Sequence, residues 1–152
     1  LGGAGGLAFY PSDLKFKPKR ALRSFDEHTF AVLSAIAART VTAPGADPVE
    51  IAHRVDETLS LGVPEGRADL NKLLLLFENA AVGFLFDRRT KPFTRLDEKA
   101  QDRVLEAWRD SKLLLRRSGY LALKKLTLAA HYASPDTWAS VNYPGPPEIA
   151  EG

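Results

Sequence analysis

Apolar residues return every three or four positions in stretches fenced by proline, glycine or a capping carboxylate. That spacing leaves the chain little to build with except helices. The first stretch holds Phe25, Thr29, Val32, Leu33, Ile36 and Ala37; Ser24, with Glu27 three residues on, reads as a capping box, and Pro44-Gly45 sets its limit. Asp47, Pro48 and Glu50 open a second helix, with Ile51, Ala52, Val55 and Leu59 as its stripe and Gly62 and Pro64 as its stop. A third spans 68–86, with Leu70, Leu73, Leu74, Phe77, Ala81, Phe84 and Leu85 on one face and Leu75, Val82 and Phe86 on another. Apolar on two sides, it is expected in the middle of a bundle or shared with a partner chain. Thr94 with Asp97 opens a fourth, striped by Leu96, Ala100, Val104 and Trp108. A fifth runs from Ser111 to about Tyr132, with stripes Leu114, Leu121, Leu128 and Leu115, Ala122, Leu126, and a kink or break is expected at Ser118-Gly119. No stretch reads convincingly as a strand.

The expected fold is therefore all-α, a bundle of four or five helices over 24–134, which suits a chain of 152 residues as one domain. An arm over 1–23 precedes it and an extended tail over 135–152 follows. The arm begins LGGAGGLAFY, which reads either as the end of an export signal or as a glycine-rich terminus. Lys15, Lys17, Lys19, Arg20 and Arg23, interrupted by Pro18, then make it basic and extended, and it is expected to lie outside the bundle. No apolar run reaches the roughly 18 residues of a membrane span.

Composition excludes several chemistries. With no Cys there are no disulfides, thiolate nucleophiles, cysteine-held iron-sulfur clusters or c-type haem attachment, and with no Met that axial haem ligand is missing too. A net charge of +2, with acidic residues interleaved among the basic ones, is weak support for nucleic-acid binding. A stand-alone nucleic-acid module using the basic arm is the alternative function. Glu50-Ile-Ala-His53 has the spacing of a di-iron helix motif, but there is no second copy, and helical geometry turns both residues away from the Ile51, Val55, Leu59 stripe toward water. His28 and His131 read as helix-end or surface residues. No serine sits in a nucleophile elbow, and the early glycines follow no strand. The residues give no catalytic, cofactor-binding or metal site.

The tail is more informative. Trp138, Tyr143 and Pro144-Gly-Pro-Pro147 place large aromatic area on a segment that cannot be helical. It becomes ordered only by packing on its own bundle or on another protein.

Ala130-His-Tyr-Ala-Ser-Pro-Asp-Thr-Trp138 and Val141-Asn-Tyr143-Pro-Gly-Pro-Pro147 resemble the closing signature of the gluconate 2-dehydrogenase subunit 3 family, the small or gamma subunit of such complexes. Arg103-Val-Leu-Glu-Ala-Trp108-Arg-Asp-Ser111, with Arg116, Tyr120 and Leu123-Lys-Lys-Leu126, is also similar to the helical N-terminal region of long-chain alcohol oxidases. The resemblance implies a non-catalytic chain without its own cofactor, bound to an FAD-dependent catalytic subunit of the GMC type that oxidises a sugar or alcohol, commonly with a cytochrome c subunit. It also implies a periplasmic location, peripheral membrane association and escort of the catalytic chain through twin-arginine export. Arg88-Arg89 is internal and does not match such a leader, whereas LGGAGGLAFY looks like the end of one. Leu75, Val82 and Phe86 on the third helix, with Trp138, Tyr143 and Pro144 in the tail, are the residues expected to bind the partner.

Overall fold

The computed structural model describes residues 14–79 and 91–133. Among them are five helices: α1 (Glu27–Thr40), α2 (Pro48–Ser60), α3 (Pro64–Glu78), α4 (Glu98–Arg109) and α5 (Leu114–Tyr132), with a 3-10 turn at Phe93–Arg95 before α4. No strand occurs among the described residues, and none of these helices is long and apolar enough to cross a membrane. The chain is an all-α bundle.

The middle of the bundle is α1, not the third helix. Every residue from Thr29 to Ala37 is buried, and α1 packs against each of the other four helices. Small Ala and Ser side chains alternate there with Phe30, Val32, Leu33 and Ile36, so neighbours close in from all sides. The buried polar residue Ser34 donates to its own helix, to the Phe30 carbonyl at 2.9 Å.

Two starts differ from expectation by one cap. Asp26, not Ser24, caps α1, its carboxylate accepting the Thr29 N–H at 2.7 Å, and Asp97, not Thr94, caps α4, accepting from Ala100 N–H at 2.8 Å. In both, the carboxylate sits directly before the first helical residue, where it reaches the orphan amides best. The α2 start is as expected, with Asp47 as cap and Pro48 in the first turn. Pro64 ends nothing; it stands at the start of α3, where its missing N–H costs no hydrogen bond.

Phe77 of α3 packs on the 3-10 turn and on α4, its ring 5.3 Å from Phe93 edge-on and 4.1 Å from Trp108. Helix α5 runs unbroken through Ser118-Gly119. Its glycine is a place of close approach: a Cβ there would fall 2.8 Å from Leu73 Cδ1 and 3.2 Å from Trp108 Cζ3.

Candidate partner-docking face and arm clamp

Two faces of the bundle are unusual in what they place where. On the first, α5 packs inward with Gly119, Leu123, Thr127 and His131, spaced four apart. Neither expected stripe supplies this face, whose smaller members Gly119 and Thr127 lie where α5 meets Trp108 and Thr40. Thr127 hydroxyl meets that of Thr40 at 3.0 Å. The leucines of the stripes turn outward instead: Leu114 is 69% exposed, Leu115 67% and Leu121 48%. Leu126 and Leu128 lie lower on the helix and are half-buried against the core. Leu75, the docking residue expected on α3, is 52% exposed, and Leu76 and Leu113 are exposed as well. The Leu73 side chain of α3 meets α5 at Gly119, and Leu76 and Leu115 each lie one helical turn from that contact. Val82 and Phe86, and Trp138, Tyr143 and Pro144, lie outside the described residues.

The charges around α5 are one-sided. Between Asp110 and Asp136 the sequence carries Lys112, Arg116, Arg117, Lys124 and Lys125 and no acidic residue. Arg116 reaches back over the Trp108 ring at 5.2 Å. This face can present apolar area flanked by cations.

The second face is the seam between the arm and α2, and it corrects two expectations. The arm is extended but does not lie outside the bundle: Phe16 and Leu22 pack against the core. His53 does not face water. It is wholly buried, and its Nε2 accepts the Lys19 N–H at 3.0 Å. The side of α2 turned away from its apolar stripe is covered by the arm, which helical periodicity alone does not register.

One turn further, the buried Asp56 carboxylate accepts three successive amides, Arg23 N–H at 2.7 Å and Ser24 and Phe25 N–H at 2.8 Å each. The Ser24 hydroxyl donates to the Asp56 carbonyl at 2.9 Å. Ser24 thus clamps the arm instead of capping α1. Arg20 forks onto Glu50 at 3.0 and 3.2 Å and reaches Glu57 at 2.8 Å, and Lys19 pairs with Asp47 at 3.1 Å.

These pairings set the protonation states. Arg20 holds Glu50 below the usual carboxylate range, and Glu50 and Glu57 in turn raise the Arg20 guanidinium. Burial pushes Asp47 up, but Lys19 and the Glu50 and Val49 amides outweigh it and leave it lowered. His53 is lowered by burial first and by Arg20 second, against Glu50, Glu57 and Asp56. His131, buried at the end of α5, is lowered by burial and by Arg54, which donates to the Ala130 and His131 carbonyls at 3.1 and 3.3 Å. It is not a surface residue.

A second buried carboxylate, Glu78, fastens the 3-10 turn to α3. It accepts Thr94 N–H at 2.8 Å and the Thr94 hydroxyl at 2.7 Å, and meets His28 Nε2 at 2.9 Å. Glu50, His53, Asp56 and Glu78 are thus occupied in holding segments of the chain together. The outward leucines were visible in the sequence as apolar spacing, but nothing there said that they face out.

No curated protein and no solved structure matches the chain significantly. The model of the family described as gluconate 2-dehydrogenase subunit 3 matches residues 27–145, from the start of α1 through the aromatic tail. A match over most of the chain establishes that it belongs to the gluconate 2-dehydrogenase subunit 3 family, the subunits of dehydrogenase complexes.

Proposed function

We propose that the chain is the non-catalytic small subunit of a periplasmic FAD-dependent alcohol or sugar dehydrogenase, that it binds a GMC-type catalytic subunit, and that it escorts that subunit through twin-arginine export. The observation that carries the reading is the row of outward leucines on α5 and α3, in a chain whose family supplies subunits to dehydrogenase complexes. Leaving such area in water is unfavourable by roughly 25 cal/mol per Å². A partner surface relieves that cost. Val82, Phe86, Trp138, Tyr143 and Pro144, which lie outside the described residues, are assigned to binding the same partner in this proposal. FAD belongs to the partner, which passes electrons onward, commonly to a cytochrome c subunit.

The flanking cations specify the partner's chemistry. A second copy of α5 would set Lys112, Arg116, Arg117, Lys124 and Lys125 against their own kind. An apolar patch with a rim of carboxylates complements them. The nucleic-acid alternative loses support at the arm, where Lys19 and Arg20 are already paired with Asp47, Glu50 and Glu57.

Co-expression of the full chain with an FAD-dependent catalytic subunit from the same source tests the reading. The complex is expected to purify as a yellow species through a tag on this chain. Replacing the central leucines of such an interface is expected to cost about 2 kcal/mol or more, roughly thirtyfold in affinity. Leu114→Asp with Leu121→Asp should therefore release the flavoprotein. Colourless wild-type eluate would sink the assignment; undiminished retention by the double variant would move the docking surface elsewhere.

A further inference from the structure

The seam between arm and α2 contains one group whose hydrogen-bonding sense reverses on protonation. Because His53 Nε2 accepts the Lys19 N–H at 3.0 Å, the neutral ring carries its proton on Nδ1, and that atom is buried without an acceptor. A second proton can enter only at Nε2. There it would confront the Lys19 N–H, donor against donor.

The surroundings offer an imidazolium little compensation. Lys19 and Arg20 face it from the arm, and α1 contributes the Phe30 ring, 4.7 Å away. On α2 itself the neighbouring carboxylates are committed elsewhere, Glu50 and Glu57 to Arg20 and Asp56 to the amides of residues 23–25. Helix α5 meets α2 through its terminal carbonyls, which Arg54 holds. The Lys19 amide is the backbone anchor of the stretch around Lys19 and Arg20 on α2, whereas Lys15 and Phe16 lie against α1 and the start of α4 and Arg23, Ser24 and Phe25 are held separately by Asp56.

We infer that His53 is a proton-operated latch: its protonation undocks the arm around Lys19 and Arg20 from α2, between the Asp56 clamp on residues 23–25 and the seat of Phe16 against the core. In the docked state Lys19 pairs with Asp47 and Arg20 with Glu50 and Glu57. In the released state Lys19 and Arg20 form a free basic strap, and the α2 carboxylates are uncovered.

Amide exchange of the full, isotopically labelled chain, followed by NMR with the His53 Cε1 proton as titration marker, tests the latch without any partner. Between pH 8 and pH 5, after correction for intrinsic exchange, the Lys19 amide should lose protection by about tenfold, the worth of one hydrogen bond. The loss should track the His53 titration, while the Arg23 to Phe25 amides stay protected. His53→Gln keeps an acceptor that does not titrate and should abolish the pH dependence. Lys19→Pro removes the donor, and should raise the His53 midpoint by relieving the bond that favours the neutral ring. Protection at Lys19 that persists while His53 titrates overturns the latch. So does an identical loss in His53→Gln, an unmoved midpoint in Lys19→Pro, or a His53 that stays neutral until the carboxylates themselves titrate.

Discussion

The arm seam and the α5 face invert each other. At the seam, titratable residues lie inside with partners, Asp56 gathering three amides and His53 accepting from Lys19, while Arg20 spans two carboxylates at the exposed rim. On the α5 face, leucines lie outside with cations beside them. Polarity by itself therefore says little about which side of a helix is buried here. The seam is where a polar residue is satisfied by an extended segment far away in sequence, and the α5 face is where apolar area exceeds what the bundle can cover. The seam holds the subunit together; the leucine face is offered to something else.

The sharpest way to break that contrast is at Asp56. Asp56→Ala leaves three backbone amides of the arm without their acceptor, and the expected cost is about 3 kcal/mol, or a fall in melting temperature of roughly 10 °C for a chain of this size. Calorimetry checks it. A fall of only a degree or two would mean that the clamp is ornamental and the arm independent of the fold.

Deleting residues 1–22 is the next largest. It removes the half-buried Phe16 and Leu22, the Lys19 anchor and the Arg20 fork, but leaves the Asp56 clamp on residues 23–25. Partial apolar burial and exposed ion pairs together suggest about 2 kcal/mol. Chemical denaturation of the truncated chain is the measurement; unchanged stability would return the arm to the status of an appendage.

Acid sharpens the comparison from another side. His53 and His131 both have folded pKa values lowered by burial, so the unfolded chain binds their protons first. Their stabilising contribution is fully present above about pH 6.5, the ordinary value for an unfolded histidine, and is lost as pH falls through the folded values. Glu50, Asp47 and Asp102, held low by their partners, add a further loss below about pH 4. Melting temperature should decline in two stages on acidification, and His53→Gln should shrink the first. A flat profile from pH 7.5 to pH 5.5 would contradict the burial of both rings.

The smallest effect on stability is expected at the leucine face. Leu114→Asp, alone or with Leu121→Asp, should shift unfolding free energy by less than about 0.5 kcal/mol, as for exposed positions generally. The same variants carry the largest expected loss of partner binding. A strong destabilisation instead would show that these leucines belong to the core and that the two regions differ less than described.

The sequence by itself determined the helical class, a bundle of four or five helices where the described residues show five, and most of the core. Spacings of three and four fix which residues share a face, so Phe25, Thr29, Val32, Leu33, Ile36 and Ala37 were legible as buried before any coordinates, as were Ile51, Ala52 and Val55 and the pair Val104 and Trp108. The Asp47-Pro48 start was legible too, because capping is a matter of adjacent residues. Family membership was legible in the tail, through short runs of specific residues whose own conformation lies outside the described part. What only the tertiary structure decided was which of several apolar or polar faces meets another segment. That placed α1 and not α3 at the centre, turned the α5 leucines outward in favour of Gly119, Leu123, Thr127 and His131, and buried His53 under an arm 34 positions away. Periodicity records how side chains are arranged around one helix; burial depends on what covers each side, and that is a property of chain segments distant in sequence.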